Sequence, residues 1–180
     1  MSANAFLAAL QQTLKKEGRL VDHKADRGGV TDYGISLRFL KGLPDLDGDI
    51  DGDGHVTEAD ITALTPGEVA RLYRKHFWDH YRLDEINHDL VAIKAFDLLV
   101  NMRSKPAVKI IQRALRACNK PVLEDGLLGS KTFAAINEIR DQLNPLAAMR
   151  SEAYGHYRLI IAADPTQGVF HNGWKNRAYS

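Results

Sequence analysis

The residues best suited to chemistry are two acids and a threonine that lie close together near the start of the chain. Glu17 ends a helical pattern, Asp26 follows nine residues later, and Thr31 comes five residues after Asp26. Two carboxyl groups that face each other across a cleft can hydrolyse a glycosidic bond. One protonates the leaving oxygen, while the other supports the cation-like transition state or the attacking water. In this interpretation Glu17 is the general acid, Asp26 is the second carboxylate and Thr31 holds the water.

Each of these residues also has a structural interpretation. Glu17 lies in the last turn of its helix, where the negative end of the helix dipole favours the protonated carboxyl that a general acid needs. A solvated helix-end carboxylate is the alternative. Asp26 is equally typical of an aspartate that caps a turn at Gly28-Gly29, and Thr31 is typical of a strand. Tyr33 is either a platform for sugar rings or a core aromatic residue.

The same segment resembles the active-site stretch of the phage-type N-acetylmuramidases, a lysozyme-like family of cell-wall hydrolases. That family carries Glu-Gly-Gly, then an Asp-rich stretch, then Gly-Gly-x-Thr-x-x-Gly-Ile. The matching residues of this chain are Glu17-Gly18, Asp26, Gly28-Gly29, Thr31 and Gly34-Ile35. The chain departs from the pattern at Arg19, where a second glycine is usual, and at Arg27, where proline is common. The cation of Arg19 would favour the ionised form of Glu17 or bind an anionic part of the substrate.

Two later stretches extend the resemblance over almost the whole chain. A Phe-Asp-x-x-Val-Asn signature of the family matches residues 96–101. The second stretch resembles the peptidoglycan-binding part of the same proteins, and its residues are Gln112, Asp125-Gly126, Gly129 and Thr132. The resemblance implies a single lysozyme-like domain over residues 1–180, with a catalytic part in 1–90 and a helical, peptidoglycan-binding-like part in 91–180.

The activity that the resemblance implies is that of an endolysin. It would cleave the β-1,4 bond between N-acetylmuramic acid and N-acetylglucosamine by acid catalysis from Glu17, and so lyse bacterial cell walls. Two alternatives stay open. A lytic transglycosylase would also use one glutamate but would form an anhydro-sugar without water, and a non-catalytic module would only bind the wall in a calcium-dependent way. Peptidoglycan is the expected partner of a protein that we expect to be monomeric.

An acidic segment at 47–60 resembles the calcium loop of an EF-hand, and two alignments fit the formula. In the first alignment the ligands are Asp47, Asp49, Asp51, the Asp53 carbonyl and Glu58. In the second they are Asp49, Asp51, Asp53, the His55 carbonyl and Asp60, with Gly54 at the sharp turn. We favour the second alignment, because it gives the aliphatic position to Val56 and lets Thr57 begin the exit helix.

The chemistry of this segment also indicates a metal site. Several carboxylates that converge within a few ångströms repel one another unless a cation lies between them. Carboxylate and carbonyl oxygens on a glycine-rich backbone suit Ca²⁺ better than Mg²⁺ or Zn²⁺. The sequence therefore predicts a structural calcium ion, with a solvated acidic loop as the alternative, and it indicates no nucleotide or redox cofactor.

The elements that must position these residues are mostly helical. Residues 3–16 form an amphipathic pattern with Phe6, Leu7, Leu10 and Leu14 on one stripe. Residues 19–36 are rich in glycine and β-branched residues, which predicts a small β ribbon. Further helices are predicted at 37–44, from Thr57, from Pro66 with Thr65 as its cap, at 90–101, from Pro106 and at 145–161. The sequence thus predicts a mainly α, lysozyme-like fold with a small β ribbon near the active site.

Composition adds few constraints. With 24 basic and 23 acidic residues the net charge is +1, which gives no argument for a nucleic-acid or membrane partner. The single cysteine, Cys118, excludes an internal disulfide, and its apolar neighbours predict a core thiol. No apolar run approaches the roughly 20 residues of a membrane span, and the start of the chain has no basic region typical of a signal peptide. We therefore expect synthesis in the bacterial cytoplasm and action on periplasmic peptidoglycan after membrane permeabilisation, as in a phage endolysin or a secreted bacterial toxin.

Overall fold

The structure, a computed structural model, describes residues 3–17 and 31–180. The mainly α fold expected from the sequence is confirmed, since helices dominate these residues and β structure is limited to one short hairpin. None of the described helices is long and apolar enough to cross a membrane. The helices are α1 Ala3–Glu17, α2 Leu37–Lys41, α3 Glu58–Ala63, α4 Pro66–Tyr73, α5 Asp89–Asn101, α6 Ser104–Ala117, α7 Ser130–Asn137, α8 Leu143–Ala163 and α9 His171–Tyr179. Short 3₁₀-helices lie at Pro44–Leu46, Leu83–Glu85 and Pro165–Phe170, and a π-helical segment lies at Arg74–Asp79.

The chain forms two compact units. The smaller is Leu7–His76, and the larger joins Phe77–Ser180 to the start of α1 up to Phe6.

The larger unit is organised around α5. This helix is apolar on nearly all sides, and Val91, Ala92, Ala95 and Phe96 are fully buried. It packs against α6 and α8, and α8 packs in turn against α9. The ring of Phe96 lies 6.1 Å from that of Phe6, centroid to centroid. The central buried helix that the sequence predicts at 90–101 is therefore confirmed.

Polar residues on α5 have partners from other helices. The Lys94 ammonium lies 3.1 Å from Asp97 Oδ2 and donates to the Arg177 carbonyl at 2.9 Å. Asn101 donates from Nδ2 to the hydroxyl of Tyr157 on α8. These contacts give the polar residues of the 96–101 signature a structural role, because buried charges and amides are costly unless they are paired.

The buried face of α1 differs from the predicted stripe. Phe6 and Leu10 are buried as expected, but Leu7 is 51% exposed and Leu14 is only half-buried. Small residues take the remaining buried positions, namely Ala5, Ala9 and Thr13. The i, i+4, i+8 row of these residues sets the centre of the face, so Leu7 falls at its edge.

The smaller unit contains the hairpin. Strand β1, Thr31–Asp32, pairs antiparallel with β2, Ile35–Ser36, with Thr31 opposite Ser36. Tyr33 and Gly34 form the turn with φ of 52° and 76°, the positive values that a tight two-residue hairpin turn requires. The predicted ribbon at 19–36 is described only from residue 31 onward.

Cys118 is half-buried at the end of α6 rather than packed in the core as predicted. Burial raises the pKa of its thiol, which keeps it in the weakly reactive protonated form. The expectation of a core position was wrong, because the residue caps the helix where the chain turns out towards solvent.

Candidate functional site

The proposed catalytic residues lie at the edge of what the structure describes. Helix α1 ends at Glu17, at the position expected from the sequence, and β1 begins at Thr31. The side chains of Glu17 and Thr31, and the whole of Asp26, lie outside the described residues. Their roles therefore stay predictions.

Tyr33 is fixed at the hairpin turn by its backbone. Its carbonyl accepts a hydrogen bond of 3.1 Å from the hydroxyl of Tyr73, which is buried in α4. Its N–H donates to Asp32 Oδ1 at 3.0 Å. The turn is thus anchored to α4, and Tyr33 is half-exposed. This position is compatible both with a platform for sugar rings and with a core aromatic residue.

The acidic loop wraps around the carboxylate of Asp49. Its Oδ1 accepts from the N–H groups of Gly52 at 2.8 Å and Asp53 at 3.1 Å, and its Oδ2 accepts from Gly54 at 2.9 Å. Gly54 has φ of +87°, a conformation that L side chains rarely adopt. Gly52, the turn glycine of the alternative alignment, also has a positive φ, +78°. The loop backbone is therefore organised around the Asp49 carboxylate, with a tight turn at both glycines.

Three carboxylates of this loop converge. Asp49, Asp51 and Asp53 each offer an oxygen, and these three oxygens lie within 4.8 Å of one another. Asp51 and Asp53 are exposed and Asp49 is half-buried. Within the described part of the chain this is the one cluster of potential metal-ligating side chains. Its hard, anionic oxygens fit a Ca²⁺ ion.

The environment of Asp60 differs from that of the other predicted ligands in its burial and its hydrogen bonds. It is fully buried, and its Oδ1 accepts from the N–H groups of Ile50 at 2.6 Å and Asp51 at 3.2 Å. Its Oδ2 accepts from the Thr57 N–H at 2.7 Å. Burial alone would raise the pKa of this carboxyl, but the three backbone donors outweigh it and hold the pKa below its usual value. Asp60 thus joins the two ends of the loop and caps α3, and both of its oxygens are engaged in doing so.

Asp47, the first ligand of the alternative alignment, is engaged elsewhere. Arg71 Nη1 lies 2.8 Å from its Oδ1, and Lys75 Nζ and His76 Nε2 lie 2.8 and 2.5 Å from its Oδ2. Partial burial raises the pKa of Asp47, but the hydrogen bonds from Lys75, His76 and Arg71 outweigh it and bring the pKa to about 2.

Sequence reasoning did not find this charge cluster around Asp47. The available signal was the spacing of Arg71, Lys75 and His76, which puts three basic side chains on one side of a helical segment. Their acidic partner lies 24 to 29 residues earlier in the chain. Nothing in the local sequence identifies it among the many aspartates of that region.

In the larger unit, Gln112 brings the predicted peptidoglycan-binding-like residues together. Its Nε2 donates to Asp125 Oδ1 at 2.7 Å and to the Leu127 carbonyl at 3.1 Å. Its Oε1 accepts from the Gly126 N–H at 2.9 Å. One buried side chain on α6 therefore holds the turn that precedes α7, and Thr132 lies 3.5 Å from the same amide nitrogen.

Comparisons with known proteins match two successive regions of the chain to two families. Residues 10–102 match the family described as glycosyl hydrolase 108, and residues 106–179 match one described as a predicted peptidoglycan domain. The solved structure of Brucella abortus SagA has a similar fold, with a TM-score of 0.73 and 24% identity. That similarity covers 98% of this chain and 91% of the other. The comparison with curated proteins gave no match.

Proposed function

Because the chain belongs to the glycosyl hydrolase 108 family and is a lysozyme-like peptidoglycan hydrolase, we propose that it cleaves the β-1,4 bond between N-acetylmuramic acid and N-acetylglucosamine. The observation that carries this proposal is the succession of two regions in one chain. A glycoside hydrolase region at 10–102 is followed directly by a peptidoglycan region at 106–179. Peptidoglycan is the polymer on which both regions can act.

Glu17 is the proposed general acid. This assignment is supported by the position of Glu17 at the end of α1. The backbone of Glu17 therefore lies at the negative end of the helix dipole. That field favours the protonated carboxyl, and the proton passes to the oxygen that bridges the two sugars as the bond breaks. The resemblance of Glu17-Gly18 to the family motif supports the same assignment.

Asp26 and Thr31 complete the proposed mechanism. Asp26 stabilises the positive charge that develops on the sugar or activates the attacking water, and Thr31 holds that water. The support for Thr31 is its match to the threonine of the family motif, and its backbone begins β1. Tyr33, at the same turn, is proposed as a weak contact for the sugar rings.

A single substitution tests the catalytic assignment. Glu17→Gln keeps the shape of the side chain but removes the acidic proton, so it should lower the rate of wall lysis by about a hundredfold to ten-thousandfold. Folding and binding to walls should be unchanged, as measured by circular dichroism and co-sedimentation. Glu58→Gln, the same change at an exposed position on α3, is the matched control. If Glu17→Gln lyses walls as fast as this control, Glu17 is not the acid.

Of the two alternatives, the non-catalytic wall-binding module conflicts with membership of a glycoside hydrolase family. The lytic transglycosylase also needs one acidic residue, and it differs in the product, because it leaves an anhydro-sugar at the new end of the glycan. We propose the hydrolase because the matching family is described as a glycosyl hydrolase.

We also propose that the acidic loop binds a structural calcium ion. Asp49, Asp51 and Asp53 would hold it through their carboxylates, together with the His55 carbonyl, and its positive charge would offset the repulsion among them. The alignment that begins at Asp49 is supported by the backbone donors around that residue and by the engagement of Asp47 with three basic side chains. Asp60 would contribute mainly by closing the loop, since its oxygens are used by backbone donors.

The place of action follows from the substrate. We propose that the enzyme, as a monomer, meets peptidoglycan in the periplasm after the inner membrane has been permeabilised. This route fits a phage endolysin, and a bacterial toxin delivered to a competitor would reach the same layer.

A further inference from the structure

A second candidate binding site lies in the larger unit. It is a groove of about 490 Å³ between the segment 120–125 and helix α7. This volume falls in the range of about 300–1,000 Å³ that is usual for small-molecule sites.

The walls of the groove are held in place by named contacts. The Lys120 N–H donates to the Leu115 carbonyl at 2.9 Å, and the Lys120 ammonium lies 2.8 Å from Oε2 of Glu138, the residue that follows α7. Gln112 holds the other end through Asp125 and Gly126. Gly126 has φ of +78°, and a Cβ there would lie 2.7 Å from Lys105 Cγ, so the turn packs tightly on α6. A groove with fixed walls loses little conformational entropy when a ligand binds.

The chemistry of the groove combines an apolar floor with separate charges. Pro121, Val122 and Leu123 line one side and Ala134 the other, and Leu123 is 76% exposed. Lys131 also lines the groove, is exposed, and forms no ion pair with the described residues. An unpaired ammonium beside small apolar surfaces suits a ligand that carries carboxylates and short aliphatic side chains.

We propose that this groove binds the stem peptide of peptidoglycan. The inference rests on the proposed function, because it assumes that the enzyme works on the wall. The stem peptide is short and consists of alanines and residues with free carboxylates, which match the apolar floor and Lys131. A glycan strand fits less well, because sugars are usually bound by stacking on aromatic rings, and no aromatic side chain lines the described groove.

Peptide binding by the full chain tests the proposal. Calorimetric titration with the alanyl-γ-glutamyl-diaminopimelate tripeptide should show binding to the wild type. Lys131→Glu should weaken it by about tenfold or more, since an attractive charge becomes a repulsive one. Ala134→Phe, an uncharged change at an exposed position of α7, should weaken it by filling the groove. Lys175→Glu, the same charge change on α9 outside the groove, should bind like the wild type.

Several results would overturn the proposal. It fails if the wild type does not bind the tripeptide, if Lys131→Glu binds as tightly as Lys175→Glu, or if peptide-free glycan competes with the tripeptide.

Cleavage assays separate this proposal from the proposed function. Lys131→Glu should cleave peptide-free glycan at the wild-type rate but digest intact walls more slowly. Absence of cleavage by the wild type would refute the hydrolase assignment and leave the peptide titration to decide the groove.

Discussion

At the scale of single residues, Asp47 shows how one carboxylate can connect two segments that are distant in the sequence through ion pairs and hydrogen bonds. It is the first residue of the acidic segment 47–60 and is contacted by three basic side chains that lie on or just after α4. Its pKa of about 2, against an ordinary value of 3.8, means that the folded state holds the ionised form more tightly than the unfolded state does.

This difference predicts a pH dependence of stability. Because the folded-state pKa is lowered, the contribution of Asp47 is fully present above a pH of about 4 and is lost as the pH falls towards 2. Asp47→Asn should lower the free energy of unfolding at pH 7 by about 1–2 kcal/mol, since the Arg71 and Lys75 side chains are partly exposed and their charges are screened. Urea unfolding of both proteins between pH 7 and pH 2 measures this, and the two curves should approach each other at the acidic end. A deficit of constant size would show that charge is not the cause.

Gln112 is the second residue with a clear structural task. It is 1% exposed and makes two donor bonds and one acceptor bond to the turn before α7. Gln112→Leu keeps most of the volume but leaves the buried Gly126 N–H without its acceptor and removes the donor to the Leu127 carbonyl. It should destabilise the protein by about 2–4 kcal/mol, because buried polar groups without partners are costly. Chemical denaturation measures the loss, with Gln12→Leu at an exposed position of α1 as the control. Equal stability of the two variants would contradict this role.

At the scale of elements, the beginnings of helices could be predicted well from the sequence. Thr65 caps α4 by accepting from the Glu68 N–H at 3.2 Å, and Thr57 caps α3 in a box with Asp60. These caps depend on residues within three positions of one another, so the local sequence contains the information. The same holds for α5, whose apolar run indicates burial whatever its partners are.

Other features depend on contacts that are distant in sequence, and these were missed. The cluster at Asp47 joins residues 24 to 29 positions apart. The edge position of Leu7 depends on which residues pack against α1, and the pairing of Lys94 with the Arg177 carbonyl spans 83 positions. The sequence predicted Asp60 as a metal ligand, whereas its engagement with three backbone donors depends on how the loop closes. The side chains of Glu17 and Thr31 and the whole of Asp26 lie outside the described residues, so their predicted roles rest on the sequence alone.

The acidic loop allows calcium and loop closure to be tested separately. With calcium present, the wild type should melt at a higher temperature than in chelator, because an ion that binds only the folded state stabilises it. Asp51→Asn should lose most of this increment but melt like the wild type in chelator. Asp60→Asn should melt lower under both conditions, since it weakens the acceptor of three backbone N–H groups.

Glu58→Gln is the control for the calcium experiment, and it should keep the full increment. Loss of the increment in this variant would favour the alignment that begins at Asp47. Identical melting of the wild type with and without chelator would mean that the loop is a solvated acidic turn.

At the scale of the whole molecule, one chain combines a hydrolase region with a peptidoglycan region. A binding region that keeps the enzyme on the wall raises the local concentration of glycan bonds around the catalytic residues. This combination could be predicted from the sequence, because the motifs at 17–35 and 112–132 are both short and local.

We propose that the enzyme cleaves the glycan with water rather than by internal transfer, and isotope labelling tests this directly. Purified walls should be digested in water enriched in ¹⁸O, and the soluble muropeptides should be analysed by mass spectrometry. Hydrolysis between N-acetylmuramic acid and N-acetylglucosamine predicts reducing N-acetylmuramic acid ends that contain ¹⁸O introduced at cleavage. Exchange is measured by incubating muropeptides that were released in ordinary water in the same ¹⁸O water for the same time. Anhydromuramic acid ends without the isotope would contradict the account, and reducing ends on N-acetylglucosamine would place the cleavage at the other bond.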